Sequence, residues 1–324
     1  MKGIYISSVA LIFICMVLFP LISMDKTVLP SPPSDTSSTQ SEDGNDETLR
    51  VYLTEEDKVT VMTVNDYVTG VVLAEMPAEY HEEALKAQAV VAYTYALYKK
   101  DIRKSEDYDV TDTSAKDQAF LSYDEAKEKF KASYEKYLDK VSAAVNAVEG
   151  EVILYGDKPI LACCHSISGG KTESAETLWG GSYPYLQPVE SAGDVLSPGY
   201  LSEAKISKED FQNAFSEQKI EFKGEADEWI TDINRSSSGY ILSLKVCGTE
   251  IKGSTFRSCL KLRSTNFDLE IKDDSFVFSV RGYGHGVGMS QYGAQYMALQ
   301  GSTYTDILMW YFTDCTVIKH THAK

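Results

Sequence analysis

Twenty consecutive residues without a charge, Ile4 to Ser23, stand near the start of this 324-residue chain. At about 1.5 Å rise per residue, such a run crosses the roughly 30 Å hydrocarbon layer of a bilayer. Lys2 is the one charged side chain before it. A secretory signal peptide is the competing reading, but its apolar region is normally shorter and ends at a small-residue cleavage site, absent here. The expected order is a cytoplasmic stub (1–3), an uncleaved transmembrane anchor (4–23) and an extracytoplasmic remainder. Residues 24–48 hold three of the nine prolines among Ser, Asp and Glu, with almost nothing apolar after Leu29. That composition describes a disordered tether. Residues 49–320 are left to fold as one globular body.

Composition narrows the partners of that body. The chain carries 31 Lys+Arg against 48 Asp+Glu, a net charge of −17. Phosphate neutralisation needs a basic stripe, so nucleic acid is excluded as a non-specific ligand, and so is a polybasic grip on anionic lipid. Beyond the span lie Cys163, Cys164, Cys247, Cys259 and Cys315. An odd number cannot all pair internally, and the adjacent Cys163 and Cys164 are poorly placed to bridge each other. Free thiols are the simpler expectation; pairing of Cys247 with Cys259 stays open.

Local pattern predicts an α+β body with a helical core and small mixed sheets. Leu49–Val64 reads as two strands around Glu55–Lys58. Asn65 and Asp66 offer N-cap oxygens to a short helix that stops by Pro77. A second helix spans Glu82–Lys100, rich in Ala and Leu. Asp101–Leu121 reads as a long loop. Ser122 to Glu125 is a capping box opening a helix to about Val148. Strands follow at Glu151–Tyr155 and Pro159–His165, loops at Gly169–Gly199, a mixed helical insertion at Glu203–Trp229, and strands at Tyr240–Val246 and Ser275–Val280. Thr255–Leu262 reads as a short helix, and Arg281–Gln295 as a glycine-dense loop entering another.

Several stretches have the residue types for chemistry. Glu75 shares a helix face with Val68 and Val71, which puts a carboxyl on an apolar stripe at a helix end, a setting suited to a general acid. A capped or snorkelling Glu is the competing reading of the same residues. Lys86 and Gln88 lie two apart on the second helix, and Tyr93 shares a stripe with Lys86; solvated Lys and backbone-satisfying Gln are the bland alternatives. In His165–Gly181 the Gly169-Gly170 pair permits a close backbone approach, with Ser168 and Lys171 as hydrogen-bonding groups and Trp179 as a stacking or packing ring. His285 stands between glycines. A Cys–His nucleophile built from Cys164 with His165 or His285 is a minor option. His81 lacks the second His of a zinc helix, and Cys163, Cys164 and His165 are too crowded for a tetrahedral set, so no metal is expected.

Taken together and in this order, VNDYVTGVVLAEMPAEYHEEALKAQAVVAYTYAL, HSISGGKTESAETLWGG and RGYGHGVGMSQYGAQYMALQG resemble the stage II sporulation protein D family over roughly residues 50–320. The resemblance implies a membrane-anchored lytic transglycosylase in the mother-cell membrane, facing the septal or engulfment space. It would cleave glycan strands of peptidoglycan after a partner amidase has stripped the stem peptides. It further implies Glu75 as the catalytic acid, with Lys86, Gln88, Ser168, Lys171, Tyr93 and His285 toward the substrate. It implies no cofactor, and stage II sporulation proteins P (the amidase) and M as partners. Where the family commonly carries an Arg in AQAVAARTYA, this chain has Tyr93. Some members are said to hold zinc in the lobe after the second helix; Asp101–Leu121 contains neither Cys nor His, so no zinc is expected there. The acidic surface suits a strand relieved of its peptides. The other class of reading is a wall-binding enhancer of an N-acetylmuramoyl-L-alanine amidase, without turnover.

Overall fold

The computed structural model describes residues 47–272 and 274–320. The expected stub and anchor, and the tether as far as residue 46, lie outside the described residues. Among the described residues no helix is long and apolar enough to cross a membrane.

Strands β1 (Thr48–Leu53) and β2 (Lys58–Thr63) form the expected hairpin. Helix α1 (Val64–Glu75) is capped two residues ahead of the first expected cap, Asn65. Thr63, not Asn65 or Asp66, is its N-cap, and the Thr63 hydroxyl accepts from the Asp66 N–H at 3.1 Å. The helix ends where Pro77 forces its predecessor out of helical space: Met76 sits at φ −122°, ψ 137°.

Helix α2 (Glu82–Ile102) is buried on nearly every side between Ala84 and Leu97, the mark of a central helix. Its alanines let neighbouring elements approach closely. Around it pack α1, α4 (Tyr134–Ala147), α8 (Gln291–Leu299), α9 (Tyr304–Tyr311) and strand β4 (Glu151–Tyr155). The helix expected from Ser122 to Val148 is two helices. The capping box at Ser122 opens α3 (Tyr123–Phe130), and Lys131 at φ 49° breaks the chain before α4 resumes. No Gly or Pro marks that break; it sets Phe130 edge-on against Tyr137, ring centres 5.3 Å apart. The loop expected over Asp101–Leu121 contributes a short strand, β3 (Val110–Thr111), parallel to β1.

The strand expected over Pro159–His165 also divides. β5 (Lys158–Pro159) stays beside β4, whose other edge pairs with β14 (Thr316–Lys319). β6 (Cys164–His165) leaves that sheet and pairs in parallel with β13 (Met289–Ser290), Met289 opposite Cys164 and Ser290 opposite His165. This two-residue seam joins sequence motifs more than a hundred residues apart.

A second core lies between the two motifs in sequence. The insertion expected to be helical opens as strand β7 (Leu201–Ser207), which pairs with β12 (Ser275–Arg281), itself beside β11 (Phe267–Lys272). Helix α6 (Lys208–Ala214) follows β7; strands β8 (Ile230–Arg235), β9 (Ile241–Val246) and β10 (Thr249–Lys252) make another sheet, followed by α7 (Gly253–Cys259). Their shared interior is aromatic: Phe211, Phe215, Trp229, Phe256, Phe276 and Phe278, with Phe211 stacked on Phe276 at 4.3 Å. The α+β class stands, and the body has two hydrophobic cores where one was expected.

Candidate active site

Glu75 is the last residue of α1, half-buried at the point where the chain turns toward α2. Val68 and Val71, on its helix face, are buried. Its Oε1 accepts from the Ala119 N–H at 2.9 Å, which fixes the carboxyl against the loop before α3. Oε2 has no hydrogen-bond partner among the described residues and is not sealed from solvent. The carboxyl is thus held by one oxygen and open at the other. A cavity of about 700 Å³ beside the β1–β2 hairpin, lined by Asp66, Phe120 and Tyr123 among others, does not include Glu75.

The Cys164 thiol lies within electrostatic reach of this carboxyl. Burial pushes that thiol up to about 12, and the Glu75 charge pushes the same way. Cys163 is raised still further above its ordinary value by burial. Gln88 Nε2 lies 3.4 Å from the Cys164 Sγ, and Gln291, first residue of α8, reaches both Gln88 Oε1 (3.4 Å) and the same sulfur (3.7 Å). Two glutamines from separate helices therefore close around one thiol on β6. A thiol raised this far is a poor source of thiolate, which argues against a cysteine nucleophile.

The glycine-dense loop makes the seam possible. At Gly288, φ is +70°, and a Cβ there would stand 2.2 Å from the Cys163 carbonyl oxygen; only glycine fits. His285 is anchored within the same loop. Its Nδ1 accepts from the Val287 N–H at 3.1 Å, and its ring centre lies 5.6 Å from that of His165. Burial, helped by nearby Arg257, drops His285 to about 4, and burial with the neighbouring His285 drops His165 to about 3. Both rings are neutral at physiological pH. His165 is buried with Nε2 unpartnered. Trp179, at the end of α5 (Ala175–Trp179), meets the His285 ring edge-on at 5.2 Å.

The other expected positions have partners of their own. Ser168 is fully buried; its backbone N–H (2.9 Å) and hydroxyl both donate to Asp194 Oδ2, while the Ser290 hydroxyl donates to Oδ1 at 2.8 Å. Ser168 thus braces the seam and presents nothing to a surface-bound strand. Lys86 Nζ is 2.7 Å from Glu83 Oε1, and Glu83 Oε2 accepts from the Tyr304 N–H at 2.7 Å. Lys171 pairs with Glu190 at 3.0 Å. Tyr93 is buried and donates to Glu47 at 2.6 Å. None of Lys86, Lys171 and Tyr93 touches Glu75 or Gln88 through a hydrogen bond or ion pair. Sequence reasoning missed Asp194 and Gln291. Asp194 lies in a stretch read as loop, its one signal being a lone acid between Ala-Gly and Val-Leu; Gln291 was quoted within a motif with no role.

The five described cysteines, including Cys247 and Cys259, are free thiols. Among the described residues no group of three or more His, Cys, Asp or Glu is placed to hold a metal ion.

The chain is similar to known proteins over most of its length. A family model described as "Stage II sporulation protein" matches residues 52–155. The chain is 32% identical to stage II sporulation protein D of Bacillus subtilis, over 90% of this chain and 84% of that protein. It is 35% identical to stage II sporulation protein D of Bacillus amyloliquefaciens, over 81% of this chain and 76% of that one. An amidase enhancer of Bacillus subtilis is 26% identical over 78% of this chain and 40% of its own length.

Proposed function

The chain belongs to the stage II sporulation protein D family, and from that premise we propose that it is a lytic transglycosylase acting on peptidoglycan glycan strands during sporulation. The observation that carries the reading is the Glu75 carboxyl, fixed through Oε1 by the Ala119 N–H with Oε2 left open. Protonated Glu75 donates to the oxygen leaving C1 of N-acetylmuramic acid as the glycosidic C1–O bond breaks through an oxocarbenium-like state. The carboxylate then takes the proton of that sugar's C6 hydroxyl as O6 bonds to C1. The product is a 1,6-anhydro end, and Glu75 returns to its protonated form. No water is consumed, no cofactor is required, and one residue acts twice.

Strands stripped of stem peptides by an amidase such as stage II sporulation protein P fit this reading. So do a partnership with stage II sporulation protein M and an N-terminal anchor holding the body on the outer face of the mother-cell membrane. Gln88 and Gln291 support this reading by holding the β6 strand against α2, the helix that follows Glu75 in the chain. The test is product analysis by mass spectrometry after incubation with amidase-treated peptidoglycan: anhydro-muramic ends form with the parent chain and vanish with Glu75→Gln. Undiminished ends from Glu75→Gln would remove Glu75 from the chemistry.

The likeness to an amidase enhancer favours a second reading, a wall-bound stimulator without turnover. Under it, no anhydro ends form with any variant, and the partner amidase is accelerated equally by parent and Glu75→Gln chains.

A further inference from the structure

Removing a stem peptide changes the charge of the strand. The amidase hydrolyses the amide that joins the peptide to the lactyl ether of muramic acid, so each stripped muramic acid exposes a free lactyl carboxylate. Stripping takes away the charged groups of the peptide itself, so the strand as a whole suits an acidic protein. The one carboxylate left on each muramic acid, however, is best held where a chain of net charge −17 offers a local cation.

One cavity meets that need. It lies between α5 and the β9–α7 part of the second core, with Trp179, Lys252, Ser254, Arg257, Thr265 and His285 in its wall. Its volume is about 70 Å³, roughly the share of two waters in the liquid, enough for a carboxylate and its attached carbon but not for a pyranose. Of its ten lining residues two are cations and none is acidic, in a chain with 48 acidic residues. Arg257 is half-buried. Its one hydrogen bond runs from Nε to the Leu262 carbonyl at 3.1 Å, and no carboxylate pairs with it among the described residues. A guanidinium withdrawn from water normally has a carboxylate partner; here burial holds it below its ordinary value instead. At the rim Trp179 is 47% exposed, its ring edge-on to His285, a flat apolar surface for a sugar face. His285, neutral, adds no charge but joins the cavity to β6, since its ring centre lies 5.6 Å from that of His165, the neighbour of Cys164.

We infer that this cavity is a subsite for the lactyl carboxylate of a stripped muramic acid, which Arg257 takes as a two-pronged partner while the sugar lies against Trp179. This rests on the glycan-cleaving reading for the identity of the strand, and it adds how a stripped strand is told from one that still bears peptide, whose lactyl group is an uncharged amide.

The full-length chain carrying Glu75→Gln, which stops turnover, is titrated calorimetrically with amidase-stripped glycan oligosaccharides. The same oligosaccharides with their lactyl carboxylates converted to methylamides are the comparison. The free acid is expected to bind about tenfold tighter than the amide, the scale of one charge-assisted bidentate contact. Adding Arg257→Gln is expected to abolish that preference, and adding Trp179→Ala to weaken acid and amide alike. Equal binding of acid and amide, or a preference that survives Arg257→Gln, overturns the subsite. If Arg257→Gln fails to fold, the acid–amide comparison on the Glu75→Gln chain still decides. Anhydro ends from the parent chain are scored separately: their presence with no acid preference removes the subsite alone, and a preference without anhydro ends removes the transglycosylase reading alone.

Discussion

Gln88 and Cys164, 76 residues apart in sequence, meet with the amide Nε2 3.4 Å from the thiol Sγ. The sulfur accepts there, so the thiol is part of the packing between α2 and β6. With the Cys164 thiol pushed up to about 12, the thiolate fraction at pH 8 is about one in ten thousand. Iodoacetamide at pH 8 should leave Cys164 unlabelled in the folded chain and label it readily in urea, as peptide mapping would show. Cys164→Ser should retain anhydro-end formation within a few fold. Rapid labelling of the folded chain with loss of activity would instead revive the thiol mechanism.

Asp194 gives the seam a pH signature. It is buried beneath three donors, and burial still raises its pKa above the ordinary value. A carboxyl raised in the folded state contributes stability that is full below its unfolded pKa of about 3.9 and is lost as pH rises through the folded value. Asp194→Asn cannot ionise, so it lacks this dependence. The melting-temperature advantage of the parent chain over Asp194→Asn should therefore shrink as pH rises from 4 toward neutrality. Asp194→Ala leaves the buried Ser168 N–H and hydroxyl without an acceptor and should cost about 1–3 kcal/mol near pH 4, a cost that shrinks toward neutrality as the gap to the Asn variant does. A gap between parent and Asn variant that widens with pH contradicts this account of Asp194.

What the sequence shows, and what it hides, divides at the seam. Thr63, Ser122 and Pro77 act through neighbours a few residues away, so α1 and α3 begin, and α1 ends, close to where pattern places them. The helix α2 was legible from its Ala and Leu content, but its burial on nearly every side was not. Parallel pairing of Cys164–His165 with Met289–Ser290 has no local signature, because two-residue strands carry no period and the pairing spans more than a hundred residues. The same blindness hid the break at Lys131 and the strand character of Leu201–Ser207. The place of Glu75 at a helix end, on the face of Val68 and Val71, was legible. Ser168 was legible as a hydrogen-bonding group, but its buried partner Asp194 was not, since 26 residues separate them.

Tyr93 stands where the resemblance leads one to expect an arginine, and the structure shows what it meets. Its hydroxyl donates to Glu47 at 2.6 Å, and burial followed by that bond raises its pKa well above the ordinary value. A guanidinium there would meet the same carboxylate. Tyr93→Arg should leave anhydro-end yield within a few fold and lower the melting temperature, because a guanidinium at this buried position is desolvated even when paired with Glu47. Tyr93→Phe should cost about 1 kcal/mol through loss of the hydrogen bond. A large gain in turnover from Tyr93→Arg would place position 93 in the reaction after all.

Gly288 tests whether the seam itself is required. Its φ of +70° disfavours any side chain, and a Cβ would stand 2.2 Å from the Cys163 carbonyl oxygen, an atom of the backbone that cannot swing aside. Gly288→Ala must therefore part β13 from β6 and loosen the glutamines around the thiol. Gly156 is the control: its φ is +64°, yet nothing lies within 4 Å of its Cβ position. Gly156→Ala should carry the left-handed backbone cost alone, about 1–2 kcal/mol. Gly288→Ala should exceed it by about 2 kcal/mol, from steric displacement of packed backbone, and should abolish anhydro-end formation while the far-ultraviolet circular dichroism stays near that of the parent. Equal unfolding free energies for the two variants in urea titrations would mean that the β6–β13 pairing yields without consequence.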